Sequence, residues 1–274
     1  MVWKLKNDKH QKYTVSMYFI AMVFLFSCTE VIDIETNKAQ SELVVEAIIP
    51  DGDIAQVSLS YTVPLDNINI FPMEENAQVK LTDDSGNTEL LKSIKPSKYE
   101  SRIIRGAQGH TYSIEVKTAK NTVTANSTIP LKVMVDSVKI INSMYPGAGA
   151  SSSNKAFFYE VKLYYNDPAQ FENSYRVLLS VNNSPLSGVH VLNDDFNNGR
   201  NVESSIVFYN EDIQTGDSLD IEFQCIDKAV YAYFSSFDNN QQGATPANPN
   251  TNLSGAKLGY LSAHTVERRK VRIK

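Results

Sequence analysis

The chain has 274 residues, of which 42% are hydrophobic and 21% are charged. This composition is typical of a globular protein and too apolar for a disordered one. There are 26 Lys and Arg against 31 Asp and Glu, a net charge of −5, which argues against nucleic-acid binding through a strong positive field. The two cysteines, Cys28 and Cys225, exclude a disulfide scaffold and a four-cysteine zinc site.

Residues 1–27 predict a lipoprotein signal peptide. Four lysines precede an uncharged stretch from Tyr13 to Phe26, which is shorter than the roughly 20 apolar residues that span a bilayer. The stretch runs into Leu25-Phe26-Ser27-Cys28, which resembles a bacterial lipobox. We therefore expect a diacylglycerol thioether on Cys28, cleavage before it, and acylation of the new amine, for instance by palmitate. Two or more acyl chains give stable anchoring; the alternative is a soluble secreted protein in which Cys28 is incidental.

Cleavage before Cys28 changes the composition of the chain. It leaves 22 basic and 30 acidic residues, a net charge of −8, and removes Trp3, the single tryptophan. Residues 28–41 are polar and acidic and predict a tether between the lipid and the folded part. Cys225 then has no cysteine to pair with, and we interpret it as a small apolar packing residue.

Period-two alternation and β-branched residues dominate the chain beyond Ser41 and predict an all-β protein. Residues 42–130, closed by Pro130, are predicted to form an N-terminal β-sandwich. Its predicted strands cover residues 43–49, 57–63, 77–82, 88–94, 112–118 and 122–128.

Residues 131–274 predict a second β-rich, sandwich-like domain that contains the only substantial helix. Asp227 is an expected N-cap, and the apolar residues from Val230 to Phe237 recur at helical spacing, so we predict a helix near residues 227–240. Alternation with Arg and Lys in the last strand predicts a cation-guarded edge strand. The strands predicted for this domain cover residues 132–141, 157–165, 175–181, 205–209, 218–226 and 266–274.

Four segments of the sequence carry a family resemblance. They are Cys28-Thr-Glu-Val-Ile-Asp-Ile34 with Leu43–Glu46, Asp194–Gly199, Ile226–Phe234, and Pro246–Gly255 with Leu258–Ala263. Together they resemble the domain-of-unknown-function family 4249, whose members are outer-membrane lipoproteins of Bacteroidota. The resemblance implies an Ig-like or transthyretin-like N-terminal unit and an outer-membrane location. It also implies proximity to TonB-dependent transporters, beside whose genes the family's genes commonly lie, and it implies no catalytic or binding residues.

The sequence offers no motif for catalysis, metal binding or a cofactor. His110, His190 and His264 lack the spacing of metal ligands. The run from Asp195 to Gly199 faintly resembles a calcium loop, but Ile206 stands where the bidentate Glu belongs, so a tight turn is the better interpretation. We therefore predict a non-enzyme with no metal or cofactor and with an unknown ligand site.

The leading functional hypothesis is an accessory or ligand-binding partner of a TonB-dependent transporter in nutrient uptake, held in the outer membrane by Cys28. The alternative is a surface adhesin or structural protein-binding module, and an envelope hydrolase ranks third. Neither the nutrient nor the membrane face follows from the sequence. Two long polar segments, Pro146–Asn154 and Asn239–Asn252, are predicted to be loops that supply the interface, with mobile excursions as the alternative.

Overall fold

A computed structural model describes residues 41–63, 71–144, 157–209, 213–242 and 247–274. Within these ranges the chain forms eighteen strands and one helix, which confirms the all-β prediction. Cys28, the signal peptide and the predicted loop at residues 146–154 lie outside the described residues. None of the described segments forms a helix with the length and hydropathy of a membrane span.

The first half of the fold is a pair of five-stranded sheets that enclose one core. One sheet has the order β17-β1-β2-β6-β5 and the other the order β16-β8-β7-β3-β4. Alternate apolar residues of both sheets, such as Val45 and Ile114, are fully buried between them, as period-two patterning requires. The strands are β1 (Leu43–Pro50), β2 (Ile54–Tyr61), β3 (Gln78–Asp83), β4 (Thr88–Leu90), β5 (Lys92–Lys95), β6 (Lys98–Arg105), β7 (Thr111–Lys117), β8 (Thr122–Thr128), β16 (Leu253–Ser254) and β17 (Leu258–His264).

The second half is another pair of sheets with a separate, more aromatic core. One sheet has the order β14-β10-β9, and the other has the order β12-β11-β15-β18 with β13 also paired to β11. Tyr165, Tyr175 and Phe223 form its centre, with ring centroids 4.9–5.1 Å apart. The strands are β9 (Val135–Met144), β10 (Phe157–Asn166), β11 (Ser174–Val181), β12 (Ser184–Pro185), β13 (His190–Asn193), β14 (Asn201–Tyr209), β15 (Ser218–Ile226) and β18 (Glu267–Arg272).

The last strand is an edge strand, as predicted. It ends the sheet beside β15. Its outward cations pair with acidic neighbours on β15: Arg268 with Glu222 at 3.0 Å and Lys270 with Asp220 at 3.1 Å. Charges on an exposed edge discourage pairing with another chain.

The predicted division of the chain at Pro130 needs an amendment at the C-terminal end. Residues 253–264, assigned by the sequence to the second domain, belong to the first pair of sheets, because β16 pairs with β8 and β17 pairs in parallel with β1. The chain returns to the second pair only with β18. Gly259 permits the close approach of β17 to β1: its φ is +103°, and an added Cβ would lie 1.9 Å from the carbonyl oxygen of Val45.

Helix α1 (Lys228–Gln242) confirms the predicted helix near residues 227–240. The side-chain carboxylate of Asp227 accepts a hydrogen bond from the Val230 N–H at 2.8 Å, which is the geometry of an N-cap. Val230 and Phe234 are buried in a small cluster with Ile226.

The predicted loop at residues 239–252 is partly wrong, because the helix continues to Gln242. The C-terminal end of the predicted loop, at Asn252, is also held in place by hydrogen bonds to β17. Asn252 donates to the carbonyl of Leu261 at 2.7 Å and accepts from the N–H of the same residue at 3.0 Å.

Replacement of Val230 by Asp should destabilise the protein by a few kcal/mol, because Val230 has no exposed surface and an unpaired carboxylate would enter the cluster under the helix. The measurement is urea unfolding followed by circular dichroism. Ala229→Asp is the matched control, since Ala229 is the exposed preceding residue of the same helical turn. Equal stability of the two variants would contradict the packing of this helix.

Candidate ligand cleft

A cavity of about 550 Å³ opens where the two pairs of sheets meet. Its walls are the connection after β8, the loop before β11, the turn after β13 and the first turn of α1. Concave sites at such junctions are the usual place for ligands and partner side chains. The residues that line it are Gly109, Thr128–Leu131, Phe171–Ser174, Asn193–Asp195, Ile226–Lys228 and Tyr231.

The Asp227 side chain joins the two halves at the wall of the cleft. Besides capping α1 through Val230, it accepts hydrogen bonds from the Ser127 hydroxyl and from the Thr128 N–H at 3.2 Å, both on β8. The Ser127 oxygen in turn accepts from the Ala263 N–H of β17 at 2.9 Å. One carboxylate therefore connects the helix to two strands of the first pair of sheets.

Buried polar groups lock the opposite wall. Asp194 accepts from the Asn173 N–H at 2.8 Å, and Asn173 donates its side-chain amide to the carbonyl of Phe171 at 2.9 Å. Asp167 accepts from the Tyr175 hydroxyl and from the Gly199 N–H. Because these buried groups hold both segments, the loop before β11 and the turn after β13 form one rigid wall.

The rim of the cleft combines exposed apolar side chains with charge. Leu131 and Phe171 are about half exposed, at 50% and 54%. Glu172 and Lys228 form an ion pair across the rim at 3.2 Å, with both side chains largely exposed. Large apolar side chains on a rigid base are typical of binding surfaces rather than of ordinary solvent-facing loops.

A half-buried arginine and several aromatic rings pack together at the junction behind α1. The Arg176 guanidinium of β11 lies 3.7 Å from the centroid of the Phe234 ring, and Tyr260 of β17 packs on Phe234 and Tyr233 at 4.9 Å. Burial lowers the pKa of Arg176, and a hydrogen bond to Tyr260 opposes that shift. These contacts bring both halves and the helix together.

Ser262 and His264 form the one described Ser–His contact at hydrogen-bond distance, 3.0 Å between the hydroxyl and Nδ1. Ser262 has no exposed surface and His264 only 3%. Burial lowers the pKa of His264 to about 4, and Nδ1 also contacts the Ser262 carbonyl at 3.1 Å. A nucleophile must reach its substrate, and this hydroxyl is closed off from solvent.

A second cavity, of about 500 Å³, lies over the β15–β18 face. Its charged residues already neutralise one another through the Asp220–Lys270 and Glu222–Arg268 pairs. Among the described residues, no three His, Cys, Asp or Glu side chains come together as metal ligands. The junction cleft is therefore the stronger candidate site.

The structure separates the residues that the sequence singled out. His110 contacts the Asp84 carboxylate at 2.7 Å, which raises the pKa of the histidine, and burial lowers the pKa of His190. Cys225 is buried in the second core and accepts from the Val133 N–H. Its 1% exposure within that core agrees with its interpretation as a packing residue, and the burial raises the pKa of the thiol.

Of the cleft residues, the sequence predicted local roles for Asp227 as a helix cap, for Pro130 as the end of the first domain and for Asp195 as part of a turn, but no binding role for any of them. Phe171, Asn173 and Asp194 were missed as site residues, because their proximity depends on pairing between strands that are distant in sequence. The Asp194–Gly199 run did signal a turn, and the turn is present.

Removal of the Asp227 carboxylate should destabilise the protein by about 1–3 kcal/mol, because Asp227→Ala leaves the helix cap and the β8 donors without their acceptor. Asp227→Asn, which keeps an acceptor oxygen for the cap, should lose less stability. Urea unfolding of both variants measures the difference. An Asp227→Ala variant as stable as the wild type would show that this carboxylate does not hold the junction.

Comparison with known proteins gives a family. A two-domain fibronectin type-III segment from chicken tenascin aligns with 85% of this chain and 99% of its own, at 9% identity and a TM-score of 0.23. The fold assignment rests on the strand order of the sheets. No curated protein matches the chain. The family described as "Domain of unknown function (DUF4249)" matches residues 29–270, and the chain belongs to that family.

Proposed function

We propose that this protein is a non-enzymatic, lipid-anchored binding partner of a TonB-dependent transporter at the outer membrane. The lipobox at Cys28 supports the lipid anchor. The gene neighbourhood that the family resemblance implies supports a transporter as the partner. The observation that carries a binding role is the junction cleft, with Phe171 and Leu131 exposed at its rim.

The cleft suits recognition of a protein surface or of the nutrient that passes through the transporter. Its volume accommodates a large side chain or a small molecule. Its carboxylates at Asp194 and Asp227 already accept hydrogen bonds from protein groups, so they shape the wall. The exposed apolar side chains at the rim then supply the contact area, as rigid anchors do in protein interfaces.

Lipid anchoring strengthens such an interface. A partner confined to the same membrane is present at a high effective concentration, so a modest contact area gives a stable complex. This favours a transporter of the same membrane over a soluble partner.

Cys28→Ala should abolish lipidation and leave the protein unprocessed or soluble, because no other residue of the lipobox can form the thioether. The measurement is fractionation of cells followed by mass spectrometry of the mature N-terminus. Ser27→Ala, which keeps a small residue before the cysteine, is the control and should stay lipidated. Normal processing and retention of Cys28→Ala would refute the anchor.

Phe171→Ala should reduce recovery of the transporter several-fold when the tagged lipoprotein is purified from outer membranes in mild detergent. The reason is the loss of an exposed aromatic anchor from the cleft rim. Ile103→Ala is the control, since Ile103 is 82% exposed on β6 but does not line the cleft.

Equal transporter recovery with Phe171→Ala and the wild type would refute the cleft as the contact. Absence of any transporter with the wild-type protein would refute the partnership itself. Recovery of another surface protein in its place would favour the adhesin alternative.

A further inference from the structure

The chain enters the described body at a defined end of the first pair of sheets. The Ser41 hydroxyl donates to the Thr62 carbonyl at 2.7 Å, and the Glu42 N–H donates to the Thr62 hydroxyl at 2.9 Å. The turns at residues 95–98 and 118–121 lie at the same end, because β6 starts beside the last residues of β2 and because residues 119–121 line one cavity with Ser41, Glu42 and Tyr61. We call this surface the entry end.

Two large apolar side chains stand out from the entry end. Phe71 is 56% exposed and Met73 is 60% exposed. The backbone between them is fixed, since the Pro72 carbonyl accepts from the Tyr61 N–H at 2.9 Å and Met73 forms a bridge with Ser60 of β2. These side chains are therefore held outward on ordered backbone, where burial against an apolar phase would be favourable.

The entry end is also positively charged, unlike the rest of the body. Among the described residues, its turns and strand ends carry five lysines (Lys95, Lys98, Lys117, Lys120 and Lys257) and four glutamates (Glu42, Glu74, Glu75 and Glu115), whereas the other described residues carry 15 basic and 20 acidic residues. Lys117 pairs with Glu115 and Lys257 pairs with Glu42. The other three lysines, Lys95, Lys98 and Lys120, are exposed and form no ion pair with a described residue.

We propose that the entry end lies against the bilayer that holds the lipid anchor, with Phe71 and Met73 in the interface and the lysines against anionic phospholipid headgroups. This inference rests on the proposed anchor at Cys28. The pairing of interfacial apolar residues with flanking lysines is the general pattern of peripheral membrane contact.

The tether alone would not set this orientation. The 13 steps from Cys28 to Ser41 reach roughly 45 Å when extended, whereas β1, with eight residues, is only about 26 Å long. The length of residues 28–41 alone therefore leaves open which side of the body faces the bilayer. With the entry end on the bilayer, the junction cleft, which adjoins Ile129 at the opposite end of β8, faces away from the lipid.

The test places a single tryptophan at the entry end of the lipidated protein, whose mature sequence has none. Phe71→Trp and the control Phe196→Trp, at a residue that is 87% exposed in the turn after β13, are reconstituted in vesicles of phosphatidylethanolamine and phosphatidylglycerol with brominated acyl chains. Bromine quenches tryptophan by contact. We expect strong quenching of the Phe71→Trp emission and little quenching of the Phe196→Trp emission.

A charge reversal then tests the headgroup contact. Lys120→Glu, made in the Phe71→Trp protein, should reduce quenching several-fold, while Lys139→Glu, at an exposed lysine of β9, should leave it unchanged. Equal quenching at positions 71 and 196 would overturn the proposed orientation. Equal effects of the two charge reversals would overturn the headgroup contact. Vesicle flotation of the unsubstituted protein is read separately: failure to float refutes the anchor, and the orientation falls with it.

Discussion

The Asp227 carboxylate is the interaction on which the arrangement of the two halves depends. It caps α1 and accepts from two donors of β8, one of which also holds β17. Separating the helix from these strands would leave a carboxylate and several hydrogen-bond donors unpaired, which costs free energy. The helix and both strands are therefore held in fixed positions relative to one another. The cleft exists because this fixed junction leaves a gap between the walls on either side of it.

Period-two patterning predicted most strands of the fold because most of them bury one face. β6 escaped prediction because its pattern is broken: Ser101 is buried while Ile103 is 82% exposed. The structure explains the exception, since the Ser101 hydroxyl accepts from the Ala55 N–H and donates to the Ile104 carbonyl where the register shifts. The helix was predictable because its cap and its apolar spacing are both local signals.

The candidate site was much less predictable than the fold. A cap such as Asp227 is recognisable from its neighbours in sequence, but its second role needs β8, which is 99 residues away. The same holds for Asn173 and Asp194, whose contact depends on the β11–β13 pair. The sequence also could not predict that β17 joins the first pair of sheets, because an alternating apolar segment does not specify which sheet it joins.

The parallel pairing of β1 with β17 affects how the chain folds. Val44 pairs with Leu258, so one edge of the first sheet stays open until β17, more than 200 residues further along the chain, has been synthesised. Contacts of such long sequence separation close slowly, and an open strand edge is a template for aggregation in the meantime. A newly synthesised chain therefore has a vulnerable interval that ends only when β17 pairs with β1.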